Sequence, residues 1–381
     1  MRPAYRTPPR LTIRIAAEAW WNRMCMVTFS ACKSTIHQDG GATVIHTEVV
    51  TNSLYERLRE VGFTKPYIRK VAALPLWWDE SLWNDPASNA VGLMHLSRHL
   101  GIDITTLQNP LSALRLKDFG VCKYKKQAGT TEDELLLARV IATRAAQLAA
   151  AAIDRPYRHV PSAAELRSSI LEESPWVGFE HLLDYCWAAN IPVLHVNTFP
   201  ADAKKKPMGF TLRVNGRPAI VLCLEQIQPA WQLFILAHEL GHLHHEHVPA
   251  NGSLLDETVH KNEPDAEESQ ADQYAIELLT GKATTSINTE GRWPNAKMLA
   301  ELARDFGRRN QVDPGHVVLN CAHTIGGGFW GIANAALKIL DPEADAIGAI
   351  GDRLAANLDW ERLPEDSSEF LMRITRQEMP E

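Results

Sequence analysis

The chain has 381 residues, 45% of them hydrophobic and 22% charged, with a formal net charge of −7. That balance is ordinary for a soluble protein; it excludes bulk disorder and a surface that is basic all over, although a local basic patch would survive it. No apolar run approaches the ~18 residues of a membrane span, and six cysteines without any C-x-x-C spacing (Cys25, Cys32, Cys122, Cys186, Cys223, Cys321) suit reduced, buried thiols in a cytoplasmic setting better than a disulfide frame.

At the N-terminus, Arg2, Arg6, Arg10 and Arg14 precede the first acid, Glu18, and "MCMVTFSAC" has the outline of a short signal core ending at Cys32. Its apolar stretch is poor and the residues before Cys32 lack an aliphatic side chain, so export is not expected. An internal start at Met24 or Met26 would account for the same residues, and 1–50 is expected to be weakly structured.

From Asn52 helical texture begins. "NSLYERLREVGF" carries apolar residues at helical spacing and a stop at Gly62. A Pro- and Trp-rich piece follows, in which Trp77, Trp78 and Trp83 are expected to pack. "LMHLSRHLGIDITTLQN" (93–109) has the cadence of a helix, a Gly turn and a second short helix. Arg115, Lys117, Lys123, Lys125 and Lys126 follow it closely, so DNA contact through 51–155 is an open expectation. Residues 131–153 make a strong helix, with acids in its first turn and Ala and Leu throughout. The region 51–155 is therefore expected to be all-helical.

Two helices are expected over 160–190, after which the period becomes that of strands. "IPVLHVNTF" is one strand, with His195 as a satisfied interior histidine, and 208–224 is a hairpin turning at Asn215-Gly216. "QPAWQLFILAHELGHLHHEH" then opens a helix with Pro229 in its first turn. A polar stretch leads to "AEESQADQYAIELLT", stopped by Gly281, and helices fill 286–381. The turn "IGGGFW" (325–330) lacks any phosphate-binding signature.

His238-Glu239-Leu240-Gly241-His242 reads H-E-x-x-H. On a helix, residues four apart share a face, so His238 and His242 can reach one metal ion, while Glu239 beside the first ligand can take a proton from water. The apolar run 233–237 buries the helix and makes unpartnered histidines costly. A third ligand downstream on the same helix is ruled out for the metzincin pattern by His245 and Val248, and the inverted H-x-x-E-H pattern fails at Leu243. Glu268 and Asp272, one turn apart on the next helix, offer instead a ligand carboxylate and an acceptor for the second N–H of a ligand histidine; Glu267 is the fallback ligand. Tyr274 is expected in the core, His245 at a solvated helix end, and His244 and His247 on the surface.

These two helices together resemble the ImmA/IrrE metallopeptidases, whose second motif, E-x-x-A-[ND]-x-[FY]-A-x-E-L-L, is matched by Glu268, Ala271, Asp272, Tyr274, Ala275, Glu277, Leu278 and Leu279. The resemblance covers about residues 165–285, and departs where Thr280-Gly281 stands in place of a common Met-Pro. It implies an α+β, mostly helical, gluzincin-like zinc peptidase domain over 156–285 with a small sheet, one zinc held by His238, His242 and Glu268, and Glu239 as general base. It further implies cleavage of a partner transcriptional repressor. An extended substrate would pair with an exposed strand of the hairpin. The reading from another class is a DNA-binding or ligand-sensing regulator that keeps the zinc site without proteolysis.

Overall fold

The computed structural model describes residues 11–15, 47–117, 123–124, 132–201, 208–214, 216–248, 266–281, 285–289 and 294–376. Within them the protein is mostly helical around a small sheet, the α+β class expected. Helix α1 (Thr47–Glu60) is closed at Gly62, φ +94°. Helix α2 (Lys65–Lys70) is capped by Thr64, and a 3-10 turn (Glu80–Asn84) leads into α3 (Pro86–Leu100), capped by Asp85 and ended by Gly101 at φ 63°. Trp78 and Trp83, 4.9 Å apart between ring centroids, lie on Gly92, where a Cβ would come 2.5 Å from the Trp78 ring. Those two indoles are packing elements, as expected, whereas Trp77 is 68% exposed.

The second helix of the helix-turn-helix cadence is α4 (Ile104–Gln108), capped by Asp103, with Thr106 and Leu107 in the core. The Arg57 guanidinium gathers the carbonyls of Thr106, Asn109 and Ser112, and tacks this corner onto α1. Of the basic run, Lys117 donates to the Ser97 carbonyl at 3.2 Å; Lys125 and Lys126 lie outside the described residues.

Helix α5 (Glu132–Ala151) packs across the sheet, which runs β2 (Lys123–Tyr124), β4 (Gly209–Val214), β5 (Arg217–Leu222), β3 (Val193–His195) in spatial order. β4 and β5 form the expected hairpin: Val214 faces Arg217 across a two-residue turn in which Gly216 takes φ +81°, the left-handed value such a turn demands. Asn215 lies outside the described residues. β3 runs parallel to β5, with His195 buried and its Nε2 2.9 Å from the Leu224 carbonyl.

Three strands fall where none was expected, β6 (Thr285–Thr289) among them, at the start of the stretch expected to hold only helices. β2 sits inside the supposedly all-helical 51–155 and pairs with β4 at Thr211 and Phe210. β1 (Leu11–Ile15) lies in the supposedly weak N-terminus and pairs antiparallel with β6 (Thr285–Thr289), just beyond the last helix of the expected peptidase region. All three are short, and their partners are remote in sequence, so no local pattern announces them.

Helices α6 (Ala163–Leu171), opened by a Ser162/Glu165 capping box, and α7 (Phe179–Ala188) precede the sheet. The pair α8 (Pro229–His244) and α9 (Ala266–Thr280) follows it. Then come α10 (Ala296–Asn310), α11 (Pro314–Ile325), α12 (Phe329–Leu340), α13 (Ala346–Asn357) and α14 (Glu365–Thr375). One contiguous core runs from Leu54 to Ile374 and includes the sheet, so both helical flanks are built onto the α8–α9 region. Among the described residues, Cys186, Cys223 and Cys321 are buried and outside any disulfide, and no helix is long and apolar enough to cross a membrane.

The C-terminal end of α9 is held by a residue from α6. Gly281 ends the helix at φ +68°, and Arg167 fills the space beside it, donating to the carbonyls of Leu278 (3.0 Å), Leu279 (2.9 Å) and Gln311 (2.7 Å). A buried cation on the last carbonyls of a helix satisfies its unpaired acceptors and complements its dipole. Arg167→Leu strands three carbonyls. It is expected to lower unfolding stability by about 2–4 kcal/mol in urea titrations, from the cost of lost charge-assisted hydrogen bonds; an unchanged midpoint would contradict this role for Arg167.

Candidate metal centre

Every residue of α8 from Ala230 to Leu243 is buried, which follows from a sequence that is apolar all round and interrupted only by Gln232, His238, Glu239 and His242. The polar intruders face two neighbours. His238 and His242, one turn apart, point toward α9, and Glu239 toward β4.

Helix α9 comes close because α8 carries glycine at the crossing. A Cβ at Gly241 would lie 2.9 Å from both the Cα and the carbonyl oxygen of Ala271, and 3.1 Å from Cβ of Tyr274. This approach brings Glu268 to the histidines: its Oε2 is 3.5 Å from His238 Nε2 and its Oε1 is 3.3 Å from His242 Nε2. The two Nε2 atoms are 3.0 Å apart. Behind them, His238 Nδ1 is 2.8 Å from Asp272 Oδ1, and His242 Nδ1 is 2.9 Å from Nδ1 of His247, whose Nε2 is 2.8 Å from Oε1 of Gln270.

Tautomer logic tests whether these residues suit a cation. Asp272 accepts the His238 Nδ1–H, which leaves the Nε2 lone pair facing His242 Nε2 and the Glu268 carboxylate. Two nitrogens at 3.0 Å and a carboxylate, with all donor atoms within 4.8 Å of one another, are a donor set that a divalent ion fits and that burial otherwise penalises. Burial alone would raise the Glu268 carboxyl, but positive charge and donors on the side of His238 and His242 outweigh it and hold it well below the usual carboxylate range; a cation held by the two bare Nε2 atoms takes the place of protons there. Burial in turn lowers His242, against the raising pull of Glu268. Glu267, the fallback, is not among the three grouped donors.

Glu239, 1% exposed, accepts a 2.8 Å hydrogen bond at Oε2 from the Thr211 hydroxyl, and its Oε1 lies 3.1 Å from where a Cβ on Gly209 would stand. Strand β4 thus carries both a donor for this carboxylate and the glycine that makes room for it. Neither Thr211 nor Gly209 is marked in the sequence, since the link is a tertiary one between a strand and a helix. Both strands of the hairpin expected to receive a substrate carry a partner on their outer side, β4 pairing with β2 at Phe210 and Thr211 and β5 with β3 from Ile220 to Leu222.

Tyr274 is in the core, as expected; its hydroxyl donates to the Pro161 carbonyl at 3.0 Å. His244 Nδ1 is 3.0 Å from the Val160 carbonyl, and His245 caps the exposed helix end. His247 corrects the surface expectation, because it folds back onto His242. A second group, His95, His99 and Asp366, could also hold a metal. Its only sequence mark is the four-residue spacing in α3. There Asp366 Oδ2 is 2.9 Å from His95 Nδ1 and 3.2 Å from Arg98, so a cation would compete with a guanidinium.

Gly241→Ala gains helix propensity of up to ~1 kcal/mol but drives a methyl into the Ala271 backbone. Overpacking of about 1–3 kcal/mol is expected to win, giving a lower urea midpoint. An equally stable variant would show that the crossing has slack.

Residues 231–306, a stretch holding His238, Glu239, His242, Glu268 and Asp272, match the model of the family described as Peptidase U49. No curated protein and no solved structure matches the chain at a significant level. The segment that builds the site is therefore similar to a peptidase family, which supports a protease function; the ImmA/IrrE resemblance rests on the two helix motifs alone.

Proposed function

We propose that this protein is a zinc-dependent endopeptidase, with His238, His242 and Glu268 as metal ligands, Asp272 fixing the first histidine and Glu239 as general base. The observation that carries this reading is the convergence of two imidazole Nε2 atoms and the Glu268 carboxylate within 4.8 Å, inside the segment similar to a peptidase family. A zinc ion held there supplies Lewis-acid polarisation of a scissile carbonyl and makes water more acidic.

The chain's own residues supply the rest. Asp272 keeps the proton of His238 on Nδ1, so that Nε2 stays available. Glu239 accepts a proton from the attacking water at its carboxylate and hands it to the leaving amine, with Thr211 orienting Oε2 throughout. A purely structural site would need ligands but no such carboxylate, which favours hydrolysis over a regulator that only keeps its zinc. The substrate class, a regulatory protein such as a transcriptional repressor, and a cytoplasmic location follow from the ImmA/IrrE resemblance and the cysteine pattern.

Glu239→Gln is expected to retain zinc at wild-type stoichiometry and to abolish cleavage, a loss of at least the ~10²–10⁴-fold that general-base catalysis contributes. New protein N-termini in host cells expressing wild type, but missing with Glu239→Gln, would name the substrate; loss of zinc from this variant would reassign Glu239. Glu268→Ala is expected to lose most bound zinc by atomic absorption after gel filtration, and full retention would move the third ligand elsewhere.

A further inference from the structure

The end of α8 is built as a Schellman turn without glycine. Glu246 takes φ +56°. Its N–H donates to the Leu243 carbonyl at 3.3 Å, and the next N–H, that of His247, donates to the His242 carbonyl at 3.0 Å. This is the paired hydrogen-bond pattern that folds the chain back over the last turn of a helix. A left-handed backbone at a residue with a side chain is costly. The turn therefore puts residue 247 directly beside residue 242 at some expense, although five positions separate them. The imidazole of His247 lies there, Nδ1 to Nδ1, 2.9 Å from that of His242.

The partners at the far ends select the proton directions. Gln270 Oε1 can only accept, so the contact at 2.8 Å places a proton on His247 Nε2. Neutral His247 then presents a bare Nδ1, which accepts the Nδ1–H of His242. The Nε2 of His242 is left with its lone pair toward His238 Nε2 and Glu268 Oε1. The reverse direction would place the proton on His242 Nε2, where it closes that nitrogen to an ion. His238 receives the same service from Asp272 directly. In both cases the acceptor at the far end stands on α9.

We infer that His247, steered by Gln270, is a positioning residue that sets the tautomer and ring orientation of His242 for metal binding. The inference rests on the metal reading above. Its experiment measures zinc affinity of the full-length chain by competition with a chromophoric chelator, alongside thermal melting of the zinc-free proteins. His247→Ala is expected to weaken zinc about 10–100-fold, the usual cost of losing such a partner, with little change in zinc-free melting. His247→Asn, whose amide oxygen replaces the imidazole Nδ1 as acceptor, is expected to recover most of that loss. Wild-type affinity in a folded His247→Ala variant would overturn the inference and leave the metal reading intact. So would equal weakening in both variants that tracks a fall in zinc-free melting, since that marks a packing role. Failure of the wild-type chain itself to take up zinc would instead sink the metal reading, and this inference with it.

Discussion

The crossing of α8 and α9 at Gly241 and Ala271 is the constraint on which the rest of the site depends. Helices normally pack ~8–10 Å apart, at a distance set by the side chains between them. Here one of those side chains is missing, and the backbone of Ala271 occupies its place. Only at this short distance can a glutamate on one helix reach two histidines on the other. The remaining contacts of α9 maintain the approach: Tyr274 reaches the Pro161 carbonyl, and Arg167 pins the last carbonyls of the helix. The α6 segment is thus a clamp on α9 and only indirectly part of the site.

Charge at that crossing has a particular balance. Two imidazoles and two carboxylates, Glu268 and Asp272, share a largely buried space, and burying such groups without partners would cost several kcal/mol each. Pairing them lessens the cost without removing it, so the arrangement is better explained by chemistry than by stability. His95, His99 and Asp366 make the contrast. There Arg98 shares the one carboxylate, Arg144 is half-buried nearby, and His99, brought to about 4 by burial, holds the Ala73 carbonyl at 2.9 Å. That network joins α3 to α14 with its positive charge already supplied. The same residue types serve as a joint in one place and as a candidate cation site in the other, and the difference lies in whether arginine is present.

What the sequence disclosed, and what it withheld, follows from the range of each interaction. His238 and His242 were legible because helix geometry alone brings residues four apart together, and Glu268 with Asp272 for the same reason on α9. The glycine at 241 could be seen but not interpreted, because its meaning lies in a residue of another helix. Thr211 was invisible as the partner of Glu239: a threonine in a strand is unremarkable, and the contact spans a hairpin, a loop and nearly three turns of helix. His247 was misjudged because helical spacing was extended past a point where the helix had already ended; a non-glycine left-handed residue at 246 leaves no mark in sequence. The short strands at 11–15 and 123–124 depend wholly on remote partners, whereas the hairpin at 209–222 carried its own turn.

These contacts divide α8 into two working sides. Toward α9 it presents the imidazoles, whose rear nitrogens are held by Asp272 and His247, so that this side fixes where lone pairs point. Toward the sheet it presents Glu239, whose Oε2 accepts from the Thr211 hydroxyl and whose carboxylate must gain and lose a proton if the site is to turn over. Thr211, which supplies that hydroxyl, is itself fixed in the sheet between Ile220 of β5 and Lys123 of β2. The strand β2 belongs to the N-terminal helical region, and α5 from the same region packs behind β4 and β5. The Glu239 side of the site is therefore set by the N-terminal flank, while its imidazole side is set by α6 and α9. A site divided in this way needs both flanks in place, which gives a physical reason for one continuous core extending from Leu54 to Ile374.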